Sequence, residues 1–179
     1  MLVNTLLTVC ILTVSAPCAA DTLTVPGEYP TIQDAINAAS DGDLIQVEAG
    51  LYVERLNPNG KEITVRGATD GSGDPTTIVD GNNEPGSVIT INSGESWDST
   101  IFENLVIRNG TGTLNFGRRQ GGGIFVDFND GALFENCHVL DNVADEGGGS
   151  STGASHGATT APSPATDACG PPSSTVPRP

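Results

Sequence analysis

The sequence predicts an all-β chain: a β-solenoid carrying one N-terminal capping α-helix and incomplete at its C-terminal end. The first observation is a phrase that occurs twice. Phe102-Glu103-Asn104-Leu105-Val106-Ile107-Arg108-Asn109 returns 134 − 102 = 32 residues later as Phe134-Glu135-Asn136-Cys137-His138-Val139-Leu140-Asp141. Self-similarity at a fixed spacing of about 20 to 50 residues marks an architecture whose units bury their apolar faces against one another. The second observation is a set of short β-branched runs, Leu44-Ile45-Gln46-Val47, Ile63-Thr64-Val65, Thr77-Ile78-Val79 and Val88-Ile89-Thr90-Ile91, separated by Gly, Asn, Asp and Pro, as strands joined by turns are. The third is that only one segment has helical periodicity, which disfavours a βαβ sheet.

In chain order, residues 1–20 are uncharged, dominated by Leu, Val, Ile, Thr, Ala and Cys, and end in Cys18-Ala19-Ala20. That is the pattern of a secretory signal. No stop-transfer charges follow, so no membrane span is expected once it is removed. Val25-Pro26-Gly27-Glu28-Tyr29-Pro30 reads as a short extended piece and a turn. Thr31, with Asp34 three residues on, resembles a capping box. Ile32, Ala35, Ile36 and Ala39 then fall at i, i+3, i+4 and i+7, predicting one amphipathic helix over about 31–39 that Ser40-Asp41-Gly42-Asp43 ends.

Beyond the helix, Ile45 and Val47 read as equivalent to Ile63 and Val65. Leu105 and Ile107, then Cys137 and Val139, repeat the same alternation of inward apolar and outward polar positions. Gly121-Gly122-Gly123-Ile124-Phe125-Val126 joins a tight turn to an apolar strand. Gly147-Gly148-Gly149 begins the same way but is followed by Ser150-Ser151. The β-domain is therefore expected over 21–149. Residues 150–179, built almost wholly of Gly, Ser, Thr, Ala and Pro with no Phe, Tyr or Trp, are expected to be a disordered tail. The repeat is expected to stop in mid-coil, through truncation or a shifted reading frame, the alternative being a genuine Ser/Thr/Pro-rich linker.

Composition narrows the partners. With 7 Lys and Arg against 22 Asp and Glu, the formal net charge is −15. Nucleic acid is excluded, and acidic polysaccharides are repelled unless divalent cations bridge the two. Cys10 and Cys18 leave with the signal. Cys137 and Cys169 then make no disulfide framework, and Cys137 is expected to pack as a small hydrophobe.

The only metal sites to consider are oxygen-rich loops, with Ca²⁺ the cation such loops hold. Asp70-Gly71-Ser72-Gly73-Asp74 sets Asp70 and Asp74 around alternate oxygen donors, but Gly81 stands where a closing bidentate Glu would be needed. Asp127, Asn129 and Asp130 form a second such loop and Asp141, Asp145 and Glu146 a third. Each reads equally as a polar turn. His138 and His156 make no zinc or Ser-His-Asp pattern, so no catalytic residue is expected. Asn104, Asn109, Asn136 and Asn142 read as ladder or turn residues between coils. Asn109-Gly110-Thr111 matches a glycosylation sequon.

Tyr29-Pro30-Thr31-Ile32-Gln33-Asp34-Ala35-Ile36-Asn37-Ala38-Ala39, followed by Asp41-Gly42-Asp43 and Ile45-Gln46-Val47-Glu48-Ala49-Gly50-Leu51-Tyr52-Val53-Glu54, resembles the N-terminal cap of right-handed parallel β-helix proteins of the pectin-lyase-like superfamily. The run from Cys137 to Gly149 is similar to the short repeats of polymorphic outer-membrane proteins. The resemblance covers about residues 25–149. It implies a right-handed parallel β-helix in a secreted or cell-surface protein, serving adhesion or polysaccharide binding. The alternative it implies is a fragment of a carbohydrate-active enzyme, lyase or pectinesterase-like, whose catalytic coils lie elsewhere.

The residues lean against catalysis in this chain. The family's methylesterases need an Asp pair with Gln and Arg on successive coils. Gln120 lies near the expected Gln but is followed by Gly-Gly-Gly, and the Asp-bearing coils are absent. Trp97-Asp98 only faintly echoes the lyase signature and reads as chance. Arg66 and Arg108 are expected near equivalent strand ends, where they would line one face or form solvated ion pairs.

Overall fold

The computed structural model describes residues 19–152. Within them lie one helix and fourteen strands, so the chain is all-β with a single short helix. In chain order these are β1 (Thr22–Val25), α1 (Ile32–Ala38), β2 (Leu44–Val47), β3 (Gly50–Val53), β4 (Thr64–Arg66), β5 (Thr77–Asp80), β6 (Ile89–Ile91), β7 (Ile101–Glu103) and β8 (Leu105–Arg108). There follow β9 (Thr113–Asn115), β10 (Arg118–Gln120), β11 (Ile124–Val126), β12 (Leu133–Glu135), β13 (His138–Leu140) and β14 (Ser150–Thr152).

Three parallel sheets result, of orders β1-β2-β4-β7-β12, β3-β5-β8-β13 and β6-β11-β14. The chain visits them in rotation. One pass runs β4, β5, β6, the next β7, β8, β11 and the next β12, β13, β14, while Leu56 bridges Ile89 to start the third sheet one pass earlier. The exception is the antiparallel hairpin β9–β10, inserted between the second and third sheets.

The repeated phrase now has a physical account. Phe102 pairs in register with Phe134, and Glu103 with Glu135. The two buried rings stack, centroids 5.2 Å apart and 8° from parallel, an arrangement worth about 0.5–1.5 kcal/mol beyond the burial itself. Asn104 and Asn136 hold φ of 58° and 47°, the left-handed conformation Asn tolerates better than most residues. Each turns the chain out of the first sheet, and Asn136 Nδ2 donates to Asn104 Oδ1 at 2.8 Å. Phe fills the core, Glu faces out and Asn turns the corner.

That corner corrects the expected columns. The inward column of the first sheet runs Leu23, Ile45, Val65, Phe102, Phe134. Ile45 therefore pairs with Val65 rather than Ile63, a shift of two residues that preserves the buried face because the side-chain period is two. Leu105 and Ile107 with Cys137 and Val139 do repeat one another, with Ile107 opposite Val139, but in the second sheet, beyond the Asn turn.

Helix α1 buries Ile32, Ala35 and Ile36, and Thr31 Oγ1 accepts from Asp34 N as expected of an N-cap. Two ties beyond that pattern hold it. The Glu54 carboxylate accepts from Ile32 N and Gln33 N at 3.0 and 2.9 Å. At the other end, Lys61 Nζ donates to the carbonyls of Ile36, Asn37 and Ala39 at 2.7, 2.8 and 2.7 Å. An anion thus meets two of the orphan N–H groups at the helix start and a cation the orphan carbonyls at its end. No helix among the described residues is long and apolar enough to cross a membrane.

The Gly runs serve close approach more than turning. Gly121, Gly122 and Gly123 donate to the carbonyls of Glu146, Gly147 and Gly148, and a Cβ on Gly122 would sit 2.2 Å from Gly148 O. The backbone register continues past the expected boundary at 149, since β14 pairs with β11, Ser150 opposite Ile124. Polar residues can pair there because the ladder is made by backbone groups. The remainder of the tail, with Cys169 and His156, lies outside the described residues, as does nearly all of the expected signal.

Candidate functional site

Three connections between the third and first sheets stack on successive passes: residues 57–61, 92–100 and 127–131. Asn57 Nδ2 donates to Asn92 Oδ1 at 3.0 Å between the first two. Glu95 anchors the middle loop. It is 3% exposed, and its carboxylate accepts from Gly60 N at 2.9 Å and from Ser93 N at 2.7 Å. Two backbone donors otherwise left unpaired in the loops are thereby satisfied. The upper loop is tied on by Gly131 N donating to Glu95 O at 3.0 Å and Gly94 N to Asp130 Oδ1 at 3.1 Å.

Between the upper two loops lies a cleft of about 350 Å³, lined by Glu95, Ser96, Trp97, Asn129, Asp130 and Gly131 among others. Trp97, the only tryptophan of the chain, is 61% exposed there. Its main chain is seated against Gly131, where a Cβ would come within 2.9 Å of Trp97 Cβ. Burial pushes the Asp130 carboxyl above its ordinary value, with the charges of Glu95 and Asp127 adding to it and the Gly94 N–H opposing. Ser96 Oγ donates to Asp98 Oδ1, and that bond first, then backbone N–H, holds Asp98 below the ordinary carboxylate range. An exposed aromatic ring beside carboxyl and amide groups is equipped to stack on an apolar face and accept hydroxyl or ammonium protons.

A second cleft is already committed. Of about 260 Å³, it is lined by Glu54, Arg55, Asp80, Asn82 and Glu84, where Glu54 holds helix α1, Arg55 reaches Glu84 at 3.5 Å and Asp80 meets Arg108 at 2.8 Å. Burial pushes Asp80 up, yet the Asn109 amide, Asn82 N–H and Arg108 outweigh it and leave its carboxyl below the ordinary value.

The candidate residues read from sequence are dispersed. Asp70 and Asp74 form an exposed turn in which Asp70 Oδ1 accepts from Ser72 N and Asp74 N at 2.8 and 3.0 Å. Those bonds lower the Asp70 carboxyl. Asp130 lines the cleft, while Asp127 Oδ1 accepts from Phe128 N at 2.7 Å. Asp145 and Glu146 brace the hairpin through Arg119 N, Arg118 and Gln120, so Gln120 lies on the hairpin with its amide on Glu146. Among the described residues no group of three or more His, Cys, Asp or Glu side chains converges as a metal site.

Arg66 and Arg108 do not share a face. Arg66 is on the first sheet with Glu103, its guanidinium pinned by two bonds of 3.0 Å, and Arg108 on the second with Asp80. The ion pairs expected of them are present. His138 pairs opposite Val106 on the second sheet. Cys137 is buried, which pushes its thiol up to about 12, the state of an inert structural cysteine.

The sequence offered Trp97 only as a chance echo and gave Glu95 no role. The signal that could have found them is a lone Trp in a Gly/Ser/Asp loop, where core packing gives it no reason to be. No family model matches the chain, and neither a curated protein nor a solved structure matches it.

Proposed function

We propose that the chain is a secreted, right-handed parallel β-helix domain of the pectin-lyase-like kind whose role is polysaccharide binding, with the Trp97 cleft as its binding site. Three parallel sheets visited in rotation, Asn turns bonded from one pass to the next and a polar-tied helix before the first full pass support the fold reading. The observation that carries the function is Trp97 itself, 61% exposed in a cleft with Asp130 and Asn129. Leaving an indole in water forgoes the favourable burial of a large apolar surface, and sugar rings present the C–H faces that such a surface takes up.

The cleft sits on a stack of loops rather than among the buried strands, so a glycan chain can lie across it without disturbing the core. Fold alone does not supply the function; the site does. Because Trp97 is the only tryptophan, its fluorescence reports the site directly. Titration with oligosaccharides is expected to shift or quench that emission, and Trp97→Ala to abolish retention in affinity electrophoresis. A chain whose emission ignores acidic, neutral and basic oligosaccharides alike is not a saccharide-binding protein of this design.

A further inference from the structure

We infer that the Trp97 cleft selects glycans bearing free ammonium groups, the chemical class of deacetylated amino-sugar polymers, over uronates. The inference rests on the polysaccharide-binding reading and names the ligand class for that same site.

The first argument concerns where the cations are. A uronate needs a basic partner, and every described Lys and Arg is engaged elsewhere, while His138 lies on the second sheet, outside the cleft lining. Arg55 meets Glu84, Arg66 meets Glu103, Arg108 meets Asp80 and Arg118 meets Glu146. Lys61 is spent on three helix carbonyls, and Arg119 Nη1 donates to Gly112 O at 3.1 Å. None of them lines the cleft. The second argument concerns what does line it. Asp130 stands beside Trp97 with its Oδ1 on Gly94 N, and the buried Glu95 carboxylate, both oxygens taken by Gly60 N and Ser93 N, adds negative charge to the wall, so Asp130 is the acceptor held in place before a ligand arrives.

A galacturonate carboxylate entering this cleft would meet like charge at short range in a chain of net −15, and like-charge juxtaposition penalises the wrong partner. A glucosamine ammonium would instead supply the missing counter-charge, while its ring lies on the indole. The raised Asp130 carboxyl agrees with this, since burial first and then its carboxylate neighbours disfavour its charge when nothing positive is present.

The test uses the full secreted chain and Trp97 fluorescence at about 0.15 M salt, where diffuse surface attraction is screened over roughly 8 Å. Glucosamine hexamer, N-acetylglucosamine hexamer and galacturonic acid hexamer are titrated separately near pH 6. The glucosamine hexamer is expected to bind at least tenfold more tightly than either of the others. Asp130→Asn is expected to weaken it by about five- to tenfold, while Asp74→Asn, an exposed carboxylate distant from the cleft, leaves it unchanged. Equal binding of the acetylated hexamer, tighter binding of galacturonate, or equal losses from the two Asn variants would each overturn the ammonium preference and leave saccharide binding standing. If none of the three hexamers moves the emission, saccharide binding falls as well.

Discussion

Loops 70–74 and 127–131 carry nearly the same ingredients, two aspartates set among Gly, Ser or Asn, and fold to opposite ends. In the first, Asp70 Oδ1 turns back on its own loop and accepts from Ser72 N and Asp74 N, while the tie from another pass falls on the backbone, Asn136 Nδ2 donating to Gly73 O at 2.9 Å. In the second, Asp130 reaches across to Gly94 N on the preceding pass; burial first, then the charges of Glu95 and Asp127, raise its carboxyl against that bond, while the loop N–H groups lower that of Asp70. A carboxylate bonded within its own loop makes a turn; a carboxylate bonded to a neighbouring pass makes a cleft wall.

The largest expected difference between the two regions is at their anchors. Glu95→Ala leaves Gly60 N and Ser93 N without their acceptor, and is expected to lower stability by about 2–4 kcal/mol, since each orphaned donor costs about 1–3 kcal/mol. Glu95→Gln, which keeps an acceptor oxygen, is expected to recover part of that. In the other loop, Asp70→Asn should move the urea midpoint far less. Equal shifts for Glu95→Ala and Asp70→Asn would show that the stacked loops carry no more structure than an exposed turn.

The glycines sharpen the comparison. A Cβ on Gly131 meets Trp97 Cβ at 2.9 Å, whereas one on Gly71 meets nothing within 4 Å. Gly131→Ala is therefore expected to cost about 1–3 kcal/mol through overpacking and to shift Trp97 emission before any ligand is added. Gly71→Ala is expected to be neutral or stabilising by about 0.5 kcal/mol, by restricting the unfolded chain.

The smallest effect is the dependence on pH, where the two aspartates should differ in sign. Asp70, lowered in the folded chain, contributes stability that is present above its unfolded pKa, 3.8, and is lost as pH falls through the lower folded value. Asp130 is raised, so its charge opposes folding near neutrality and that opposition disappears as pH falls through the raised value. Asp70→Asn is expected to destabilise at about pH 7 and Asp130→Asn to stabilise slightly, both differences shrinking toward pH 3. Urea midpoints of the two variants that move in the same direction at pH 7 would break the contrast.

Much of the molecule was legible in the order of its residues. Strand alternation, the Thr31 cap, the stripe Ile32, Ala35, Ile36 and Ala39, and the spacing of the Phe-Glu-Asn phrase each rest on interactions within a few residues or on a strict repeat. They gave the all-β class, the helix and the pairing of Phe102 with Phe134. Less legible was which strand lay above which outside that phrase, because loops of unequal length separate the passes. The first-sheet register therefore emerged two residues from the expected one, and the apolar pairs at Leu105 and Cys137 emerged one sheet further on.

The candidate site was legible only as an ambiguity. Asp130 and Asp74 carried the same weight as oxygen donors, and Trp97 carried none, because the contacts that separate them join residues 35 or 36 positions apart. Sequence alone determined the grammar of this protein, apolar in, polar out and Asn or Gly at the corners, since backbone sterics and side-chain period act locally. Tertiary structure decided which polar loops met. Stacking placed Gly60, Glu95 and Gly131 on three successive passes, tied Gly94 to Asp130, and left one indole in solvent between carboxylates, a consequence of register that no single segment contains.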